Sequence, residues 1–380
     1  MKIFANGGGS GDRILNIYKK IDSIIDYNKP ALYIPLAMEP DKHPYDGCYE
    51  WIKQEICGIN VPSIKMVESF EEFAFLNYND YSFIFIGGGN TFRLLKGLKD
   101  SGAFLKLKDY ILNDGIVFGG SAGAVIMGYD VSCSMDENYV NLEDTTGLNL
   151  IDGFSIFPHY TNFKSKLTKD ENEERLKTFT NRIIDYTKND LKMIAIPEED
   201  TITVDENGMK IIGYKPYYKF EKGKIKMIDT IKLVPYTDAD YEFVYEVKKN
   251  AYKKYVEECW GSWIEEDQRK YYDKFINRVK DNAYIIMDSD NKIGFYNGEV
   301  LENGNYEVGN ICIIPEYQGK GIGSKLLKDK LEENKDRDIE IQFFKQNPVG
   351  KLYERLGFVP NGETEFHYQM IKSKQVLLKK

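Results

Sequence analysis

From the N-terminus to about residue 200, short apolar runs alternate with amphipathic stretches, and no other feature constrains the fold so strongly. MKIFA, ALYIPLA, FIFIGGG, IVFGG and MIAIPEE read as strands, four of them leading into glycine or proline. Between them, RILNIYKKIDSIIDY and TFRLLKGLKDSGAFLKLKDYIL place apolar residues at helical spacing. Strands enclosed on both faces carry near-continuous apolar runs, and strand–helix alternation builds a mostly parallel sheet covered by helices. The expected fold class is therefore α/β. From TITVDENG to KIKMI the pattern becomes that of antiparallel hairpins, which closes a first domain near residue 228.

A second pattern then begins. IKLVPYT reads as a strand and DADYEFVYEVKKNAYKKYVEE as a helix, with Asp238 or Asp240 as its cap. AYIIMDSDNKIGFYNGEV reads as two strands joined by a turn rich in Asp and Asn. NICIIP, QGKGIG and SKLLKDKLEENK follow as strand, glycine-rich turn and helix. A chain of 380 residues exceeds one ordinary core, and the expected domains are 1–229 and 230–380.

Bulk properties remove several classes of function. The formal charge of −9 argues against a broad nucleic-acid surface. No apolar run reaches the length of a membrane span, and MKIFANGGGSGD lacks the apolar core of a secretory signal. Five cysteines without a C-x-x-C pair suggest reduced thiols in the cytoplasm and no metal site. Neither a nucleic-acid nor a membrane partner is expected, and a homodimer is left open.

Within IVFGGSAGAVIMG, Gly119 to Gly123 spell G-x-S-x-G, the spacing of a turn that exposes a serine between strand and helix. A tight glycine-rich turn with an incidental serine has the same pattern, so the partners decide. Of three histidines, His43 lies in a charged loop, His367 in the other domain, and His159 just after a short apolar strand in IFPHYTN. His159 is the best base in this half. Glu198 in IAIPEED and Asp136 in SCSMDEN are the candidate carboxylates. The Gly89 amide, at the end of FIFIGGG, and the Ala122 amide would form a two-donor oxyanion hole. The amides of Gly87, Gly88 and Gly89 could also line an anion site at the start of the following helix. Neither glycine run fits G-x-G-x-x-G, because Asp12 and Phe92 take the final positions.

GGGNTFRLL, GGSAGA, PHYTN and IPEE, in this order and at these separations, resemble the peptidase E (aspartyl dipeptidase) family of serine peptidases over roughly residues 1–228. The resemblance implies a glutamine-amidotransferase-like α/β sandwich with Ser121 as nucleophile, His159 as base and Glu198 as triad glutamate. It makes Asp136 a further site residue. Aspartyl specificity in that family rests on an arginine whose position is Asn172 here, with Arg175 close by, which leaves that preference open. Cyanophycinases share a similar serine motif, which keeps a β-aspartyl peptidase as an alternative.

In the second half, Gln318-Gly319-Lys320-Gly321-Ile322-Gly323 follows Q/R-x-x-G-x-G/A between strand and helix, an arrangement whose backbone N–H groups suit pyrophosphate. With Asn347, Tyr353 and Leu356-Gly357-Phe358 downstream, the segment from about 230 to 373 resembles the GNAT acetyltransferases. The resemblance implies acetyl-CoA as cosubstrate, with pantetheine along Ile311 and Ile313 and the pyrophosphate turn spanning Gln318 to Ser324. Asn347 would touch the cofactor arm, and Tyr353 would act as general acid, although a core aromatic fits the same helix. Glu307 is a candidate base, and ECWGSWIEEDQRKYY, with Trp260 and Trp263, could frame the acceptor pocket or form a partly buried helix and loop.

The expected protein is bifunctional: a serine hydrolase of small peptides fused to an acetyltransferase acting on an amine, both on one metabolic pool. The alternative is a non-catalytic N-terminal binding module beside an active GNAT domain.

Overall fold

A computed structural model describes residues 1–374, so the last six residues of the expected 230–380 domain lie outside the described residues. The chain divides into two units, Met1–Thr230 and Ile231–Lys380.

Eleven strands form two sheets in the first unit. In chain order they are β1 (Lys2–Asn6), β2 (Ala31–Ile34), β3 (Ile64–Met66), β4 (Ile84–Ile86), β5 (Ile116–Gly120) and β6 (Phe154–Phe157). There follow β7 (Lys192–Ala195), β8 (Thr201–Asp205), β9 (Gly208–Ile212), β10 (Tyr217–Glu221) and β11 (Lys224–Ile228). The larger sheet runs β3-β2-β4-β5-β1-β8-β9, parallel through β1 and antiparallel beyond it. Its strands β2 and β4 are wholly apolar and buried, and separate clusters of buried side chains pack on its two faces. The smaller sheet runs β11-β10-β7-β6, with only β6 and β7 parallel.

Local signals placed most elements but not all of their limits. The pattern TFRLLKGLKDSGAFLKLKDYIL is two helices, Thr91–Asp100 and Ala103–Leu112, because Gly102 adopts a left-handed φ of 79° that an α-helix cannot contain. RILNIYKKIDSIIDY is a 3-10 turn followed by a helix that stops at Asp22. β2 ends before Pro35, which cannot donate to a ladder.

The second unit is a single sheet with helices. Its strands are β12 (Ile231–Pro235), β13 (Ala283–Asp288), β14 (Asn291–Val300), β15 (Tyr306–Ile313), β16 (Ile339–Phe344), β17 (Val359–Glu363) and β18 (His367–Lys372), in the order β12-β13-β14-β15-β16-β18-β17. The helix Tyr241–Trp260 follows a 3-10 turn whose cap is Thr237. Asp240 is the N-cap residue of the helix, as one of the two expected, but its carboxylate accepts from the Thr237 amide and hydroxyl in a capping box of the 3-10 turn and makes no bond to the helix's own first amides. β15 pairs with β14 along its length but with β16 only from Tyr306↔Ile339 to Val308↔Ile341. The divergence coincides with a register shift that leaves Gly309 as an extra residue, a bulge that bends the strand.

Candidate active sites

Because β1, β4 and β5 are parallel neighbours, their carboxyl ends meet at one sheet edge, and each ends in glycines. Ser121 follows β5 with φ 52° and ψ −109°, a conformation that costs of the order of 1–3 kcal/mol for a residue with a Cβ. The turn is held because an added Cβ on Gly119 would lie 2.4 Å from the Gly123 carbonyl oxygen, and one on Gly123 2.4 Å from that of Ile86. The Ser121 amide donates to the Asn6 carbonyl at 3.1 Å.

His159 and Glu198 reach this edge from the smaller sheet. They follow β6 and β7, which pair in parallel through Phe157↔Ala195. The His159 amide donates to the Gly7 carbonyl at 2.9 Å. Ser121 Oγ lies 2.9 Å from His159 Nε2, and His159 Nδ1 lies 3.0 Å from Glu198 Oε1. The carboxylate can only accept, so Nδ1 carries the proton and Nε2 is left to accept from the serine. The bond to His159, helped by the charge of Arg13, holds the Glu198 carboxyl below its ordinary value against the opposing effect of burial.

Arg13 and Asn162 are not singled out by the sequence, and Arg175 is noted there only for its closeness to Asn172. Arg13 pairs with the second oxygen of Glu198. Asn162 accepts the Glu198 amide at 2.7 Å through Oδ1, and Arg175 donates to the Asn162 carbonyl at 3.0 Å. The run Gly7-Gly8-Gly9 is a spacer. A Cβ on Gly7 would meet Pro197 O at 2.0 Å, on Gly8 the His159 ring at 2.1 Å, and on Gly9 Glu198 O at 2.1 Å. The signal was present, since MKIFANGGG repeats the strand-then-glycine form of FIFIGGG.

Other expected residues fall elsewhere. Asp136 is not at the imidazole: its Oδ2 accepts from the Thr91 amide at 2.8 Å and from the Ser134 hydroxyl at 3.1 Å. With Asn90 Oδ1 accepting from the Arg93 amide, it fills the start of the helix Thr91–Asp100, so that helix end is no open anion site. Asn172 is buried, and its amide clamps the 164–168 loop through Lys164, Leu167 and Thr168. Gly88 faces the serine, a Cβ there lying 3.2 Å from Ser121 Cβ, whereas at Gly89 it would strike the Ala37 backbone at 2.4 Å. The amides of Gly89 and Ala122 donate to no acceptor among the described residues. A cavity of about 460 Å³ opens beside Ser121, walled by Tyr33, Lys42, His43, Cys48 and Trp51. His43 is thus a wall residue of this site.

In the second unit, Gly319 and Gly321 have φ of 72° and 80°, and Gly321 caps the helix Ile322–Glu333. A Cβ on either would meet nothing within 4 Å, so the turn leaves open space above its amides. The Gln318 side chain turns back to donate to the Ile313 carbonyl at 2.6 Å, and Lys320 lies over the Tyr317 ring. Gly323 packs against Ile311 and Ile313, with Ser324 next on the helix. Beyond the β15–β16 divergence lies a cavity of about 460 Å³, lined by Ile311, Cys312, Asn347 and Tyr353 among others. Asn347 Oδ1 accepts from the Val349 amide at 3.0 Å. Tyr353, packed on Phe343 and Phe358, has a phenol raised to about 12, chiefly by burial. Glu307 is not on the cavity wall. It stands between Glu299 and Glu340 in adjacent strands, and burial raises its carboxyl. Trp263 lines the cavity and donates to Glu265 at 2.9 Å, whereas Trp260 packs outside it on Phe366. Among the described residues no cluster of three His, Cys, Asp or Glu is placed to hold a metal, and no helix is long and apolar enough to cross a membrane.

In chemical terms the first unit is built as a serine hydrolase and the second as an acyltransferase. Residues 3–212 match Peptidase family S51, and the chain belongs to that family. Residues 280–360 match the Acetyltransferase (GNAT) domain, so a peptidase and an acetyltransferase share one chain. Peptidase E of Nostoc sp. is 27% identical over 200 residues, covering 52% of this chain and 78% of its own. Among solved structures, a Peptidase E candidate from Listeria monocytogenes is 23% identical, with TM-score 0.43, covering 56% of this chain and 98% of that one. The PaiA N-acetyltransferase of Thermoplasma acidophilum, solved with coenzyme A, is 22% identical, with TM-score 0.32, covering 38% of this chain and 98% of its own.

Proposed function

We propose that the first unit hydrolyses small peptides by a serine mechanism. The observation that carries this reading is the unbroken chain from Ser121 Oγ to His159 to Glu198, at 2.9 and 3.0 Å. Ser121 attacks the scissile carbonyl while His159 Nε2 takes its proton, and Glu198 holds the imidazole in the required tautomer. His159 then protonates the departing amine, and water attacking through the same base releases the acyl group. The unused amides of Gly89 and Ala122 are the donors for the oxyanion, each worth about 3–4 kcal/mol of transition-state stabilisation. A fluorophosphonate should label Ser121 in the wild type and fail on His159→Ala. Equal labelling of the two would leave a binding module as the better description.

The second unit, in the same proposal, transfers acetyl from acetyl-CoA to an amine. The open space over Gly319 and Gly321 and the unpaired stretch of β15 fit the pyrophosphate and pantetheine of that cosubstrate. Tyr353, protonated at neutral pH, supplies the proton that the departing thiolate needs. Production of an N-acetyl amine by the wild type, much reduced in Tyr353→Phe, tests this; undiminished transfer by the variant would remove Tyr353 from the role.

A further inference from the structure

The acceptor end of the second cavity is walled by the helices Tyr241–Trp260 and Glu265–Val279, outside the segment that matches the acetyltransferase family. These helices bring Lys248, Lys249 and Arg278 to the wall together with Tyr252 and Phe275, their connection adds Trp263, and no aspartate or glutamate lines it. Lys249 is neutralised by Glu265 at 2.9 Å, and Glu265 also accepts from Tyr245 and Trp263, so it is spent. Lys248 is different. Its ammonium donates to Asn310 Oδ1 at 2.9 Å and lies 3.9 Å from the Phe275 ring centroid, with no carboxylate within ion-pair reach among the described residues. Asn310 is fixed for this task, because its Nδ2 donates to Asn297 at 2.7 Å and its Oδ1 also accepts from Tyr252. Arg278 likewise forms no ion pair among the described residues. Arg278 shares its charge with Glu307, which is off the cavity wall and not in ion-pair contact. With Lys248 it leaves an aromatic cavity whose wall carries cations and no acids, which disfavours a polyamine and favours an anion.

We propose that the acetyl acceptor is an amine that also bears a carboxylate, an amino acid with an apolar or aromatic side chain, its carboxylate held by Lys248 and Arg278. This rests on the acetyltransferase reading above. The amine nitrogen, having lost a proton to solvent, forms a bond to the acetyl carbon. The carbon–sulfur bond breaks, the thiolate takes the Tyr353 proton, and the second proton that the acylated nitrogen sheds restores the Tyr353 phenol through solvent. Hydrolysis of a dipeptide by the first unit yields compounds of this acceptor class.

The test uses the full chain with acetyl-CoA and three probes: L-phenylalanine, phenethylamine (the same skeleton without the carboxylate) and spermidine. N-acetyl product is read by mass spectrometry, and acetyl-CoA binding is measured separately by calorimetry. The expected result is a kcat/KM for phenylalanine at least ten-fold above that for phenethylamine, with spermidine lower still. Lys248→Met, which keeps the stem length, and Arg278→Gln at the exposed rim should each narrow that ratio through the KM for phenylalanine. Faster turnover of phenethylamine or spermidine overturns the inference while leaving acetyl transfer intact. So does an equal loss of kcat for every acceptor in Lys248→Met. Failure to bind acetyl-CoA sinks the acetyltransferase reading itself.

Discussion

His159 Nδ1 lies 3.0 Å from Glu198 Oε1, and the two residues come from the ends of adjacent parallel strands of the smaller sheet. The paired strands thus anchor both segments, with one or two residues intervening before the side chains that meet. Glu198→Gln should keep the fold and the KM for a dipeptide but lower kcat by about 10⁴-fold, since the amide favours the wrong tautomer. Ser121→Ala and His159→Ala should each cost at least as much, and the double variant no more than the worse single one, because the pair acts as a unit. Steady-state hydrolysis of a dipeptide series measures all four, and additive losses would contradict a shared mechanism.

The lowered Glu198 carboxyl ties stability to pH. Its folded pKa lies below the ordinary 4.5, so the ionised group stabilises the native state above that value and loses the effect as pH falls through the folded pKa. The melting-temperature gap between wild type and Glu198→Gln should be largest at neutral pH and shrink as the solution is acidified below 4.5. A gap independent of pH would mean that the pair adds nothing beyond packing.

Gly8 separates the glycine run from the imidazole. Gly8→Ala places a Cβ 2.1 Å from the His159 ring at a φ of 103°, so ring or backbone must move. A displacement of about 1 Å costs of the order of 10²-fold in rate. Gly11→Ala, with a φ of 57° and open space, should cost only about 1–2 kcal/mol of backbone strain and leave kcat near wild type. Matching kinetics for the two variants would remove the spacer role.

Gly321→Ala separates strain from ligand approach in the second unit. The protein leaves space for the methyl group, so the melting temperature should fall by only a few degrees. The methyl group would occupy the space above the turn, and the Kd for acetyl-CoA should rise at least ten-fold by calorimetry. An unchanged Kd would place the pyrophosphate elsewhere.

Burial, with a smaller contribution from Arg278, lowers the Lys248 ammonium to about 8, against the opposing effect of Cys312; Tyr252 and Asn310 are its other polar neighbours. The cation is present below that pH and lost above it. An anchor for a carboxylate predicts that the KM for phenylalanine rises above about pH 8, while a proton-accepting lysine predicts that kcat rises through the same range. The pH profile of wild type against Lys248→Met distinguishes them.

Much of this protein is written locally. Apolar runs, four of them leading directly into glycine or proline, mark β1, β2, β4, β5 and β7, and G-x-S-x-G marks the strained turn at Ser121, because each depends on residues adjacent in the chain. Element limits were less legible where one residue decides them, as Gly102 does by dividing one apparent helix into two. Asp136 shows a harder limit. As a sequence it is an acidic residue after a serine, equally suited to an imidazole or to a helix start. Only the placement of its loop beside Thr91 selects the helix.

The sequence alone determined an α/β unit with a serine turn, a second unit with a glycine-rich turn, and three strand ends carrying serine, histidine and glutamate. The tertiary structure decided which strand ends meet. It set Gly7-Gly8-Gly9 as the spacer beneath the imidazole, brought Arg13 to Glu198, and left Lys248 facing a cavity without acids. Those outcomes depend on sheet order and on contacts between residues far apart in the chain, which no local pattern of apolar and polar residues encodes.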